Sequence, residues 1–182
     1  GVVIRNNIVH NIHSNGVKGA TGLLLSGGVG NVGTNNSVYN NMVYDIQSTS
    51  TLYNSRVAGI QIWYQNDPKI YFNTVNLSGF GTNKYGSAAF YISENSTNIG
   101  AKNNIFINTR DESPYIASSI YDYSASNLTS DYNDLYSAHY FVRIGVTNYN
   151  TLADWQTTGK DLNSVSEMPH FIIPDLHIKD TI

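Results

Sequence analysis

Asn6-Asn7-Ile8-Val9, Asn40-Asn41-Met42-Val43, Phe72-Asn73-Thr74-Val75, Asn103-Asn104-Ile105-Phe106 and Asn133-Asp134-Leu135-Tyr136 are five versions of one phrase. In each, a short and mostly polar pair runs into two mostly apolar residues. Measured at the second member of the pair, the intervals are 34, 32, 31 and 30 residues. A period of this size is the mark of a solenoid, in which each coil buries its apolar face against its neighbours. Asn tolerates the left-handed backbone of a sharp corner, and its amide can bond to the same Asn one coil above and below. The reading therefore makes Asn7, Asn41, Asn73, Asn104 and Asp134 a structural ladder. It stacks Ile8, Met42, Thr74, Ile105 and Leu135 as a column inside the coil.

Working outward, a second apolar run lies roughly 16 to 19 residues beyond each pair. These runs are Thr21-Gly22-Leu23-Leu24-Leu25, Ala58 to Trp63, Ala88 to Ile92 and Ser118 to Tyr123. They are too short for stable helices and partly alternating, as half-buried strands are. Gly and Asn clusters at 26–31, 79–81 and 93–98 read as loops. Two or three short strands, an Asn corner and a variable loop make the unit of a parallel β-helix. The expected architecture is all-β: a right-handed parallel β-helix of about five coils over 1–145, truncated at both ends. A non-repetitive segment, 146–182, then packs on the last coil. Within it Asn150-Thr151 caps a helical turn carrying Leu152 and Trp155, and Gly159 ends it. Phe171-Ile172-Ile173 and Leu176-His177-Ile178 read as strands.

Composition agrees with strands. Charged residues are 13% of the chain and aromatic residues 12%, while Asn alone makes up roughly 13%, replacing the usual charged surface. The net charge of −3 and the lack of any Lys/Arg cluster give no footprint for nucleic acid. No apolar run reaches the ~20 residues of a membrane helix. There is no cysteine, which removes thiol catalysis and thiolate metal sites and fits a secreted solenoid held by stacking. The sequons at Asn35, Asn76, Asn95 and Asn127 are what a chain rich in Asn, Ser and Thr produces by chance.

The repeated Asn-pair strands, the small-then-apolar second strands and the tail from Leu152-Ala153-Asp154-Trp155 to Leu176-His177-Ile178 resemble the right-handed parallel β-helix superfamily of pectate-lyase-like proteins. The resemblance implies the fold and a secreted, extracellular or cell-surface bacterial protein that forms part of a larger polypeptide. It does not imply one chemistry, because lyases, hydrolases, epimerases and adhesins share this fold. Polygalacturonase signatures are matched only in fragments, at Asn73-Thr74-Val75, Asp111-Glu112, His10-Asn11 and Arg143-Ile144-Gly145. Asn66-Asp67-Pro68 lacks the His of the similar epimerase element.

Alternation in the second strands puts Ile60, Ile62, Phe90 and Ile92 inside and Gln61, Trp63, Tyr91 and Ser93 outside, with Tyr121 and Tyr123 extending the outer stripe. With that register Asp122 faces the interior, a costly place for a carboxylate. Stacked outward aromatics make a platform on which sugar rings pack. The candidate carbohydrate-binding residues are Trp63, Tyr64, Tyr91, Tyr121 and Tyr123, with Arg56, Asp67 and Lys69 as the local charges. Arg110, Asp111 and Glu112 form a second concentration, at another repeat phase. His10 and His13 are a loose pair without a partner acid. Catalytic residues are not identified, and no metal site is assigned. Calcium held by loop carbonyls with Asp67 or Asp161 stays open. Two functions remain: a polysaccharide-handling protein, catalytic or binding only, and a structural or adhesive surface solenoid.

Overall fold

The computed structural model describes residues 1–52, 55–81, 85–111 and 115–172, with the backbone of 177–178. It is a parallel β-solenoid of about four turns, with almost no helix. Two sheets of five parallel strands run along its length. One comprises Val3–Arg5, Ser37–Tyr39, Lys69–Tyr71, Ile99–Lys102 and Leu128–Asp131. The second, which follows the Asn corners, comprises Ile8–Val9, Met42–Tyr44, Thr74–Leu77, Ile105–Asn108 and Asp134–Ser137. A third sheet stacks Ala20–Ser26, Val57–Trp63, Ser87–Ile92, Ala117–Asp122 and Tyr140–Ile144 in parallel. Thr147–Tyr149 turns back antiparallel on its last strand.

The corner divides its work between two residues. Asn6, Asn40, Phe72, Asn103 and Tyr132 take the left-handed conformation, with φ from 52° to 58°. The residue after each points its side chain into the coil. Asn7 Nδ2 donates to Asn41 Oδ1 at 2.8 Å, Asn41 to Asn73 at 2.9 Å, Asn73 to Asn104 at 3.0 Å and Asn104 to Asn133 at 3.1 Å. The fifth ladder residue is therefore Asn133. Asp134, assigned to the column from sequence, lies one position on and pairs with Ile105. Tyr132 occupies the left-handed position that Asn holds at three of the other four corners, and this displaces the visible polar pair by one.

The same alternation corrects the inner column. With the ladder Asn inward, the next residue must face out and the one after it in. Ile8 is 58% exposed, and Met42, Thr74 and Ile105 are half-buried. The interior is filled instead by Val43, Val75, Phe106 and Leu135, with Val9 packed against that core. Of the five residues placed inside from sequence, only Leu135 is there. Across the coil these meet Ile60, Phe90, Ile120 and Val142 of the third sheet, and the rings of Phe90 and Phe106 stack at 5.4 Å. Two glycines admit this approach. A Cβ at Gly22 would lie 2.4 Å from Val43 Cγ1, and one at Gly59 would lie 2.2 Å from Val75 Cγ1.

The far end is closed by the tail. Thr151 caps the helix Leu152–Gln156 in a reciprocal box with Asp154, and Gly159 follows at φ +79°. Trp155 is fully buried, its ring 5.1 Å from Tyr149 and its Nε1 donating to Asp161 Oδ2 at 2.7 Å. Asp161 Oδ1 accepts Asn133 Nδ2 at 2.9 Å, so the ladder terminates on this carboxylate. Val165 then bridges Asp134 in parallel, carrying the coil path past residue 145. Phe171–Ile172 pairs antiparallel with His177–Ile178, while Ile173, Pro174, Asp175 and Leu176 lie outside the described residues.

Candidate functional site

The outer face of the third sheet carries a row in strict register: Leu24, Gln61, Tyr91, Tyr121 and Arg143. In-register stacking follows from parallel pairing at about 4.8 Å per strand. The segments that enter these strands bring Lys18, Arg56 and Tyr85 to the same face, and those that leave them bring Ser93, Glu94 and Tyr123. Together they bound a cleft of about 550 Å³ that also takes in Thr21, Gln61, Trp63 and Tyr91. Thr21 Oγ1 donates to Gln61 Oε1 at 3.2 Å, tying the first coil to the second along the floor.

Arg56 is the electrostatic centre. The residue is half-buried, its guanidinium more deeply, with Cζ 4.3 Å from the ring centroid of Tyr91 and 4.5 Å from that of Tyr121. A cation over aromatic faces is favoured by the ring quadrupole, more so when partly desolvated. Burial pushes the guanidinium pKa below its ordinary value. Burial likewise raises the pKa of the Tyr91 phenol, against the opposing pull of Arg56. Tyr121 is 5% exposed and backs Arg56, whereas Trp63 at 39% and Tyr123 at 46% present their rings to solvent.

The candidate residues read from sequence thus separate. Arg56, Trp63, Tyr91 and Tyr123 line one cleft, with Tyr121 directly behind. Tyr64 sits at the strand's exit with φ 53°, its ring 5.4 Å from Trp63. Asp67 and Lys69 do not join them. They form an ion pair with each other where the chain enters the central strand of the first sheet, beside a shallow groove of about 310 Å³ with Tyr71 and Lys102. The bond from Lys69 to Asp67 raises the lysine's pKa. Two corners of the coil separate that groove from the cleft strands, which sequence proximity conceals.

Other charges have structural roles. Arg110 is fully buried and donates to the carbonyls of Ile46, Ser78 and Phe80, clamping successive coils. Glu112 lies outside the described residues. His13 Nε2 meets Asp45 Oδ1 at 2.9 Å, and His10 stacks on Tyr44 at 4.9 Å. Burial opposes ionisation of Asp45, yet bonds from His13 and Gln47 lower its pKa. Asp122 does face the interior, stacked between Ile92 and Ile144. Its Oδ2 accepts from Ser126 at 2.8 Å, its Oδ1 has no hydrogen-bond partner among the described residues, and burial raises its pKa. Among the described residues no group of three or more His, Asp or Glu side chains is arranged to hold a metal ion.

Lys18, Thr21, Tyr85 and Glu94 are cleft residues that sequence reasoning missed. Thr21 pairs with Ala58, two residues before the inward Ile60, so simple alternation assigns it to the interior. The other three sit on connecting segments where no periodicity speaks.

No helix among the described residues is long and apolar enough to cross a membrane. No protein-family model matches the chain, and no curated protein or solved structure matches it at a significant level.

Proposed function

We propose that this solenoid binds polysaccharide in the cleft over its third sheet, as a secreted protein of the right-handed, pectate-lyase-like kind. The observation that carries the reading is the meeting of Trp63, Tyr91 and Tyr123 in one cleft, with Trp63 and Tyr123 substantially exposed. Exposed rings beside hydrogen-bonding groups are what a pyranose ring needs: apolar faces stack on aromatics, and hydroxyls bond to polar neighbours. Gln61, Thr21 and Ser93 supply those neighbours here. Glycoside hydrolysis commonly uses a pair of carboxylates, and the cleft lining contributes Glu94, so binding is the role this arrangement supports best.

Tryptophan fluorescence tests it directly. The chain has two tryptophans; Trp155 is 1% exposed, so a ligand in the cleft reports through Trp63. Neutral and acidic polysaccharides are titrated against the protein, with and without calcium. A saturable change that disappears in Trp63→Ala is expected. Absence of binding across the panel would reject this reading in favour of a solenoid that serves contact alone.

A further inference from the structure

Among the described residues Arg56 is without a carboxylate partner, and its Nη1, shielded from solvent, donates to no acceptor. Arg143 adds like charge from the same row, with Cζ 5.1 Å from the Tyr121 centroid. Lys18 lines the same cleft from the preceding coil, where the adjoining Gly19 runs beside Arg56 so closely that a Cβ there would meet the Arg56 carbonyl oxygen at 1.8 Å. A buried donor left without an acceptor is costly, and charged groups most of all. Sites that tolerate this are commonly completed by what they bind.

The charges are also ordered along the strands. Lys18 and Arg56 precede the strands Ala20–Ser26 and Val57–Trp63, whereas Glu94 follows the strand Ser87–Ile92. A ligand lying along the strands therefore meets cations at their start and a carboxylate at their end.

We infer that the cleft takes an anionic glycan, whose carboxylate or sulfate ester is held by Arg56 with Lys18 while its sugar faces stack on Trp63 and Tyr123. The inference rests on the saccharide reading above and adds the acid group to it. A planar guanidinium presents paired donors to a planar acid group, and its seat between two tyrosine rings leaves little freedom to lose on binding. Glu94 repels acid at the other end, so an acid group is accepted in one orientation.

The test compares matched ligands by Trp63 fluorescence: an oligouronate, the same oligomer after carboxyl reduction, a sulfated dextran oligomer and plain dextran, each at low and high salt. The acidic member of at least one pair should bind about tenfold tighter or more, the factor one charge-assisted hydrogen bond contributes. That advantage should shrink as salt rises. It should be lost in Arg56→Gln and partly kept in Arg56→Lys. Whichever pair shows it identifies the acid as carboxylate or sulfate. Equal binding of acidic and neutral members overturns the inference and leaves the saccharide reading standing. Binding by none of the four overturns both. An acid preference insensitive to salt in the unmodified protein also refutes it, and that measurement needs no variant to fold.

Discussion

Removing the amide of Asn104 is the sharpest perturbation of this fold. The side chain is 1% exposed. Its Oδ1 accepts from the backbone N–H and the Nδ2 of Asn73, both at 3.0 Å. Its Nδ2 donates to the Ile70 carbonyl at 2.8 Å, to the Lys102 carbonyl at 3.1 Å and to Asn133 Oδ1 at 3.1 Å. In Asn104→Ala, Asn73 Nδ2 keeps the carbonyls of Val38 and Tyr71, and Asn133 Oδ1 keeps the backbone N–H of Asn104. The Asn73 N–H is left with nothing. One orphaned buried donor costs about 1–3 kcal/mol, and each of the two lost neutral bonds to carbonyls about 0.5–1.5 kcal/mol, so the variant should lose about 2–6 kcal/mol. Asn7 provides the internal control. It is exposed, donates to Arg5 O and Asn41 Oδ1, and its loss orphans no buried donor. Asn7→Ala should cost about 1 kcal/mol or less. Urea denaturation of both variants, compared through midpoints at constant slope, measures the difference. Equal destabilisation of the two would refute the view that buried position, rather than membership of the ladder, sets the energy.

Three further outcomes follow from single contacts. Gly59→Ala places a methyl against Val75 Cγ1 and 2.7 Å from the Ala89 carbonyl oxygen; thermal unfolding should show a loss of about 1–3 kcal/mol, as for other overpacked cores. Asp122 has a folded-state pKa raised by burial above the ordinary 3.8. Its folded form holds the proton more tightly than the unfolded form, so stability falls as pH rises through the interval above 3.8. Asp122→Asn should therefore gain on the natural protein at neutral pH, and the gap should narrow as pH falls towards that value. A gap that widens in acid would contradict the assignment. Asp161→Ala removes the acceptor shared by Trp155 Nε1 and Asn133 Nδ2; near-ultraviolet circular dichroism should show Trp155 losing its fixed environment before the coil unfolds.

The fold was legible because a solenoid repeats its instructions. Five Asn-bearing corners and the runs between them specify strands, order and stacking without any long-range inference. Phase was less legible. Phe72 and Tyr132 hold left-handed corners that local preference gives to Asn or Gly, so the corner cannot be found from residue type alone. The ladder Asn marks it better, being fixed by bonds to both neighbouring coils. The cleft was half legible for a related reason. Tyr91 and Tyr121 lie on strands, where alternation predicts orientation. Arg56 reaches between them from a connecting segment, and nothing in strand periodicity directs its side chain there. Asp67 and Lys69 are near Trp63 in sequence, yet the chain turns at Tyr64 and again at Asp67 itself and places Lys69 on a different sheet.

The ladder also has a direction. Every side-chain link passes from an Nδ2 in one coil to an Oδ1 in the following one, so the amide dipoles line up along the solenoid axis instead of cancelling. Aligned bonds of this sort polarise one another, and the column as a whole acquires a positive end, as a helix does at its amino terminus. That end points at Asp161, a group able to accept from the last amide and to place negative charge against the accumulated dipole. The closing carboxylate is thus matched in sign to the whole column. Reversing the order of the coils would leave the same amides in place and set that charge against the wrong pole.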